Sequence, residues 1–238
     1  MANTLELIFA AYLVLYVPVR QIWKSLGAKK PVAAALKAER YWRSVRWAGA
    51  LLLALAGVTA YAGRSLADLG LDFPVSAAGQ WGLAAMGVLI LAGGVVVFMV
   101  EKTLNAETFA EFTAKTGDND LMPRAGTDVL PFVVMMVALG AAWELLYRGF
   151  LMLVLAPLTG TAGAVLLAAV AYGAAHGYSS RGQFIGSIVC AFLFTIAYVL
   201  TGSLWWLMVL HIGVPLFGLV STRRTMSAAR RLGLGPGS

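Results

Sequence analysis

Residues 129–177 read VLPFVVMMVALGAAWELLYRGFLMLVLAPLTGTAGAVLLAAVAYGAAHG. The stretch is apolar almost throughout and shows no alternation at period 2. A bilayer core is about 30 Å thick, and a helix rises about 1.5 Å per residue, so a helix crosses it in roughly 20 residues. The run is long enough for two crossings, one from Val129 to Ala156, ahead of Pro157, and one from Gly163 to Gly177. Lipid offers the backbone no hydrogen bonds, so spanning segments are helices or closed barrels. Continuous apolar runs without period-2 patterning select helices.

The rest of the chain repeats the pattern. Further spans are expected at Leu5–Val19, short and with Pro18 near its end, and at Trp47–Gly63, Trp81–Val100, Phe184–Leu200 and Ser203–Val220. The expected fold is therefore all-α, a polytopic membrane helix bundle of about seven transmembrane helices. It forms a single membrane domain over residues 1–238. Composition agrees: 60% of the 238 residues are hydrophobic and 12% are charged, against about 25% charged in an ordinary soluble domain. Mean hydropathy is +0.81. The N-terminal segment lacks a basic lead and a small-residue cleavage site, so it reads as an uncleaved first helix. The connections among the last four spans are short, which requires them to pack as an antiparallel bundle.

The polar stretches fix an orientation. Eight bases crowd residues 20–46 (Arg20, Lys24, Lys29, Lys30, Lys37, Arg40, Arg43 and Arg46), and Arg223, Arg224, Arg230 and Arg231 crowd the tail. Lys and Arg remain on the cytoplasmic side. With seven crossings both clusters fall inside, the N-terminus outside and the C-terminus in the cytoplasm. The net charge of +7 is thereby a matter of topology, and nucleic acid is not an expected partner; membrane lipid is. Residues 32–42 suit an amphipathic surface helix. Residues 101–128 carry six acids and three bases and read as an extramembrane helix and loop, with Gly117 ending the helix. The single cysteine, Cys190, is expected to be a small core residue.

Against this background a few side chains stand out. A charge in the bilayer core costs at least about 2.5–3.5 kcal/mol. Apart from Glu6 at the start of the first helix, the ionisable residues inside spans are Glu144, Arg148, His176 and His211, and the two histidines are the only ones in the chain. Glu144 and Arg148, four apart, share a helix face and form an ion pair. Taken singly, each group has a structural explanation as a neutralised pair or a hydrogen-bonded core imidazole. Taken together, on three neighbouring helices, they suggest one polar pocket. Ala169, Gly173 and Gly177 provide a smooth face near His176, which permits close helix contact.

Three motifs carry a resemblance. Trp143-Glu144-Leu145-Leu146-Tyr147-Arg148-Gly149, Tyr172-Gly173-Ala174-Ala175-His176 and His211-Ile212-Gly213-Val214-Pro215 resemble, in order and spacing, the motifs of the CPBP family, the CAAX-protease and bacteriocin-processing membrane endopeptidases. The resemblance covers a core at residues 128–220. It implies an intramembrane endopeptidase that cleaves membrane-anchored peptides or C-terminal tails, such as prenylated ends, leader peptides or sorting tags. It implies catalytic roles for Glu144, Arg148, His176 and His211. Trp143 stands where the family has a first Glu, thought to activate water, and Pro215 where it has an Asn, thought to hold the oxyanion with a His. Tyr172 replaces the usual Phe.

Amide hydrolysis needs an activated water, an oxyanion stabiliser and an acid for the leaving amine. Glu144 can act as the base with its helix turned by roughly 100° relative to the family; His176 or His211 can then serve as base, acid or oxyanion donor. No cofactor is required. Two histidines and a carboxylate also make a zinc set with an open position, but no His-Glu-x-x-His motif accompanies them. By depth, Glu144 falls mid-span and His176 near the inner end of its span, so convergence demands a tilt or shift of several ångströms. Two other readings use the same residues. One is a catalytically inactive relative serving as a scaffold, immunity or regulatory protein. The other is a small transporter or lipid-binding protein, against which stands the lack of an inverted repeat and of paired broken helices.

Overall fold

The computed structural model describes residues 2–27, 37–116, 121–123 and 126–234, and among these every regular element is helical. Helix α1 is Thr4–Leu26, α2 Lys37–Tyr61, α3 Ala77–Thr103 and α4 Ala106–Thr116. Helices α5 (129–159) and α6 (161–175) follow, then α7, Arg181–Thr201, and α8, Trp205–Arg231. Six continuous runs are long and apolar enough to cross a membrane. One of them, Gly126–Ala175, contains both α5 and α6, which makes seven crossings. The protein is an integral, multi-pass membrane protein.

The division at residue 160 is conformational. Gly160 has φ 73 and ψ 163, a backbone state that glycine adopts without steric cost. Pro157, lacking an N–H, weakens the helix just before it. That the chain reverses there is shown by what meets beyond it. The rings of Tyr147 and Tyr172 stack at 5.1 Å, where a straight helix would hold them nearly 40 Å apart (roughly 1.5 Å per residue).

Helix α1 begins with a reciprocal cap. Asn3 accepts from the Glu6 backbone and Glu6 accepts from that of Asn3. Glu6 is fully buried and takes the Arg64 guanidinium at 2.8 Å, so it is a paired end-of-membrane charge. The helix is longer than the Leu5–Val19 expected. A wide π turn at Tyr12–Tyr16, with the Val17 N–H reaching the Tyr12 carbonyl, precedes Pro18 and places the proline near the start of a new helical segment, where its missing N–H costs little. Helix α8 likewise runs past the expected end at Val220 to Arg231. The tail arginines are held there by Glu101, which accepts from Arg224 at 3.1 Å and from Arg231 at 2.6 Å.

Packing assigns each helix its place. Trp47 of α2 meets Trp143 of α5 edge-on, and Tyr41 meets Phe132. Helix α3 leaves one broad face outward, with Val88, Leu91 and Val95 exposed as a lipid-facing surface would be. It touches α8 where glycine permits: a Cβ on Gly82 would fall 2.5 Å from Trp206. Helix α4 and the end of α3 bury Phe109 and Leu104 on Ala228 and Ala229. Lys37–Trp42 of the expected surface helix form the first turns of α2, while residues 32–36 and Gly117 lie outside the described residues.

Candidate active site

Glu144 opens a second π segment, Glu144–Phe150, set between the α-helical parts of α5. Such wide turns are rare and concentrate at functional sites. This one settles which side chain faces inward. Glu144 is 1% exposed and turned toward α6 and α8, lining a cavity. Trp143, 8% exposed, is turned the other way, its indole 5.4 Å from Trp47 and 5.5 Å from Tyr147. The carboxylate at position 144 thus occupies the cavity, and the position where the family has a first Glu lies in an apolar seam.

The three expected motifs meet. Arg148 Nη1 donates to both Glu144 oxygens. His211 Nδ1 lies 2.9 Å from Glu144 Oε1. His176, at the end of α6, stacks on His211 with ring centroids 6.3 Å apart and planes 18° from parallel. The expected mismatch of depth does not arise. Counted from the reversal at Gly160, Glu144 lies 160 − 144 = 16 residues before it and His176 lies 176 − 160 = 16 after it, so two helices of equal rise bring both to one level.

Tyr172 joins these groups. Its hydroxyl is 2.7 Å from His211 Nδ1 and 3.2 Å from Glu144 Oε1, and its backbone carbonyl is 3.0 Å from His176 Nδ1. The Arg148 guanidinium carbon sits 4.5 Å above its ring and 5.8 Å from that of Phe194. These electron-rich faces partly compensate Arg148 Nε, which is buried with no hydrogen-bond partner. In sequence Tyr172 has no role beyond replacing Phe. Its only signal there was a hydroxyl four residues before His176 in an otherwise apolar helix.

The cavity holds about 360 Å³. Beyond the polar cluster its walls come from α7 and α8: Ser187, Cys190, Phe194, Leu210, Val214 and Pro215. Cys190 is exposed and lines this space, contrary to the core position expected for it; on α7, which presents only Ala191 and Thr195 as fully buried, a small apolar residue need not be buried. Pro215 cannot donate a hydrogen bond to the His211 carbonyl one turn earlier, and its ring contributes only apolar surface. Among the described residues no group of three His, Cys, Asp or Glu side chains is placed to hold a metal ion. Both Glu144 oxygens already accept from Arg148, and Oε1 also meets His211 and Tyr172, so the carboxylate is committed to protein donors.

Residues 125–217 match the family described as Type II CAAX prenyl endopeptidase Rce1-like. The matched segment contains all three motifs. No curated protein and no solved structure matches the chain.

Proposed function

We propose, from the match of residues 125–217 to the Rce1-like CAAX endopeptidase family model, that this protein is a membrane endopeptidase that hydrolyses an amide bond in membrane-anchored peptides or C-terminal tails. Prenylated ends are the first substrates to test, followed by leader peptides and sorting tags. One observation carries the reading: Glu144, Arg148, His176 and His211, drawn from α5, α6 and α8, surround one cavity at a common level. A polar cluster of this kind in lipid is expensive and has a use.

In this reading the chain is one membrane domain, 1–238, with its working core at 128–220. The N-terminal helices are the wall behind that core: Tyr147 donates to the Leu13 carbonyl at 3.2 Å, and Trp47 covers Trp143. Hydrolysis uses protein groups, with no cofactor. The N-terminus lies outside and the C-terminus in the cytoplasm.

The test is hydrolysis of lipidated peptides by protein purified in detergent, with Glu144→Gln, His176→Ala and His211→Ala compared. Loss of a general acid–base group costs about 10²–10⁴-fold in rate, so each variant is expected to fall at least 100-fold. Three variants at the unaltered rate would remove the assignment. A second reading, a catalytically inactive relative, is favoured by Trp143 lying in the apolar seam and by Pro215. Turnover by the unaltered protein decides against it.

A further inference from the structure

Tyr172 presents two polar groups, and each meets a different imidazole. His176 Nδ1 is 3.0 Å from its backbone carbonyl. A carbonyl only accepts, so that ring nitrogen carries hydrogen. His211 Nδ1 faces Glu144 Oε1 at 2.9 Å and the Tyr172 hydroxyl at 2.7 Å. The buried Arg148 guanidinium requires an ionised carboxylate beside it, because an uncompensated buried charge costs several kcal/mol. An ionised carboxylate only accepts, so the proton between Nδ1 and Oε1 belongs to Nδ1. The phenolic hydrogen then goes to Glu144 Oε1 at 3.2 Å, and the phenol oxygen shares the Nδ1 hydrogen. Three atoms and two hydrogens leave none of the three unpartnered.

A neutral imidazole has one ring hydrogen. Fixed on Nδ1, it leaves the lone pair on Nε2. Both histidines line the cavity, and among the described residues neither Nε2 has a protein hydrogen bond. We propose that Tyr172 is a positioning residue that holds both histidines as Nδ1–H tautomers, and that His211 Nε2, oriented by Glu144, is the base that takes the proton from water. The inference deepens the peptidase reading and rests on it. Glu144 becomes the orienting carboxylate, and the missing carboxylate at position 143 is not needed as base. A Phe at 172 would keep the carbonyl for His176 and lose the hydroxyl that faces His211.

The step balances. Water gives one proton to His211 Nε2 as its oxygen bonds to the amide carbon, and the carbonyl π pair moves to its own oxygen. When that tetrahedral species collapses, the C–N bond breaks. The proton on Nε2 passes to the departing nitrogen, giving an acid and an amine.

The chain contains only two histidines, so ¹⁵N-histidine labelling gives two ring systems to read by NMR in detergent, with His176→Ala assigning them. Both rings of the unaltered protein are expected as Nδ1–H with a bare Nε2. In Tyr172→Phe the His176 ring is expected unchanged, which also reports an intact fold, while His211 gains an Nε2–H population. Turnover of a lipidated peptide by that variant is expected to fall about tenfold in kcat with KM little altered, the worth of one charge-assisted hydrogen bond. Glu144→Gln is expected to release the His211 ring more fully. An Nε2–H tautomer on His211 in the unaltered protein, or a His211 ring indifferent to both substitutions, would overturn the proposal. The expected spectra in a protein without turnover would support the tautomer lock and overturn both the base role and the peptidase reading.

Discussion

Trp143 and Glu144 are neighbours in the chain and opposite in surroundings. One indole edge rests on Trp47 in an apolar seam; one carboxylate sits among Arg148, Tyr172 and His211. Restoring a carboxylate at 143 therefore does not restore a catalytic group. Trp143→Glu would bury a charge against the rings of Trp47 and Tyr147, with Arg20 already stacked on the Trp47 ring at 5.2 Å, and a buried charge left unpaired costs about 3–5 kcal/mol. The expected result is a marked fall in thermal midpoint in detergent with no gain of turnover; a stable and faster variant would show that residue 143 reaches the cavity. Glu144, Arg148, His176 and His211 were legible in the sequence because charge is costly in lipid and conspicuous in an apolar run. Tyr172 was not, because a tyrosine is an ordinary resident of membrane helices, and its value depends on a hydroxyl meeting residues 28 positions before and 39 after it. Nor was the direction of Trp143 legible, since it is set by the π segment that starts at the next residue.

At the scale of elements, the number and kind of helices followed from apolar run length, while their ends and inner irregularities did not. Pro18 suggested an early stop, yet a π turn upstream absorbs it. The relative depth of Glu144 and His176 is set by their equal distance from the Gly160 reversal rather than by the centres of their spans. Glycines mark where helices depend on contact. A Cβ on Gly173 would lie 2.5 Å from Ile188 Cα, backbone that cannot swing aside. Gly173→Ala is expected to push α6 from α7 and cost about 1–3 kcal/mol, as overpacking does. Gly160→Ala meets nothing within 4 Å but keeps φ +73 with ψ 163, an extended state nearly confined to glycine, so its cost is conformational, about 1–3 kcal/mol. Gly87, helical and open on α3, is the control. Thermal unfolding in detergent is expected to place Gly87→Ala at or above the unaltered protein and Gly173→Ala below it. Equal midpoints for these two variants would mean that α6 and α7 are not held as close as the glycine implies.

At the scale of the whole molecule, contacts sort the ends of the helices into two sets. Lys37 donates to the Met122 carbonyl, Tyr41 to that of Leu121, Arg224 and Arg231 to Glu101, and the Tyr178 N–H to Ser25. At the opposite end, Glu6 pairs with Arg64, Trp205 donates to the Asp72 carbonyl, and Ser76 lies against Thr201. The described residues of both basic clusters therefore share one end, the end that the proposed orientation places in the cytoplasm. Glu144 and His176 lie roughly 24 Å from the Gly160 reversal, and His211 lies six residues, roughly 9 Å, from the start of α8 at Trp205 (about 1.5 Å per residue), so the cluster sits within the apolar core and away from both surfaces. The arrangement is open to direct measurement. In a Cys190→Ser background, cysteines placed singly at the exposed residues Ser65 and Ser227 report the two ends. An impermeant maleimide is expected to label Ser65→Cys on intact cells and Ser227→Cys only after permeabilisation. The reverse pattern would invert the protein in the membrane and overturn the proposed orientation.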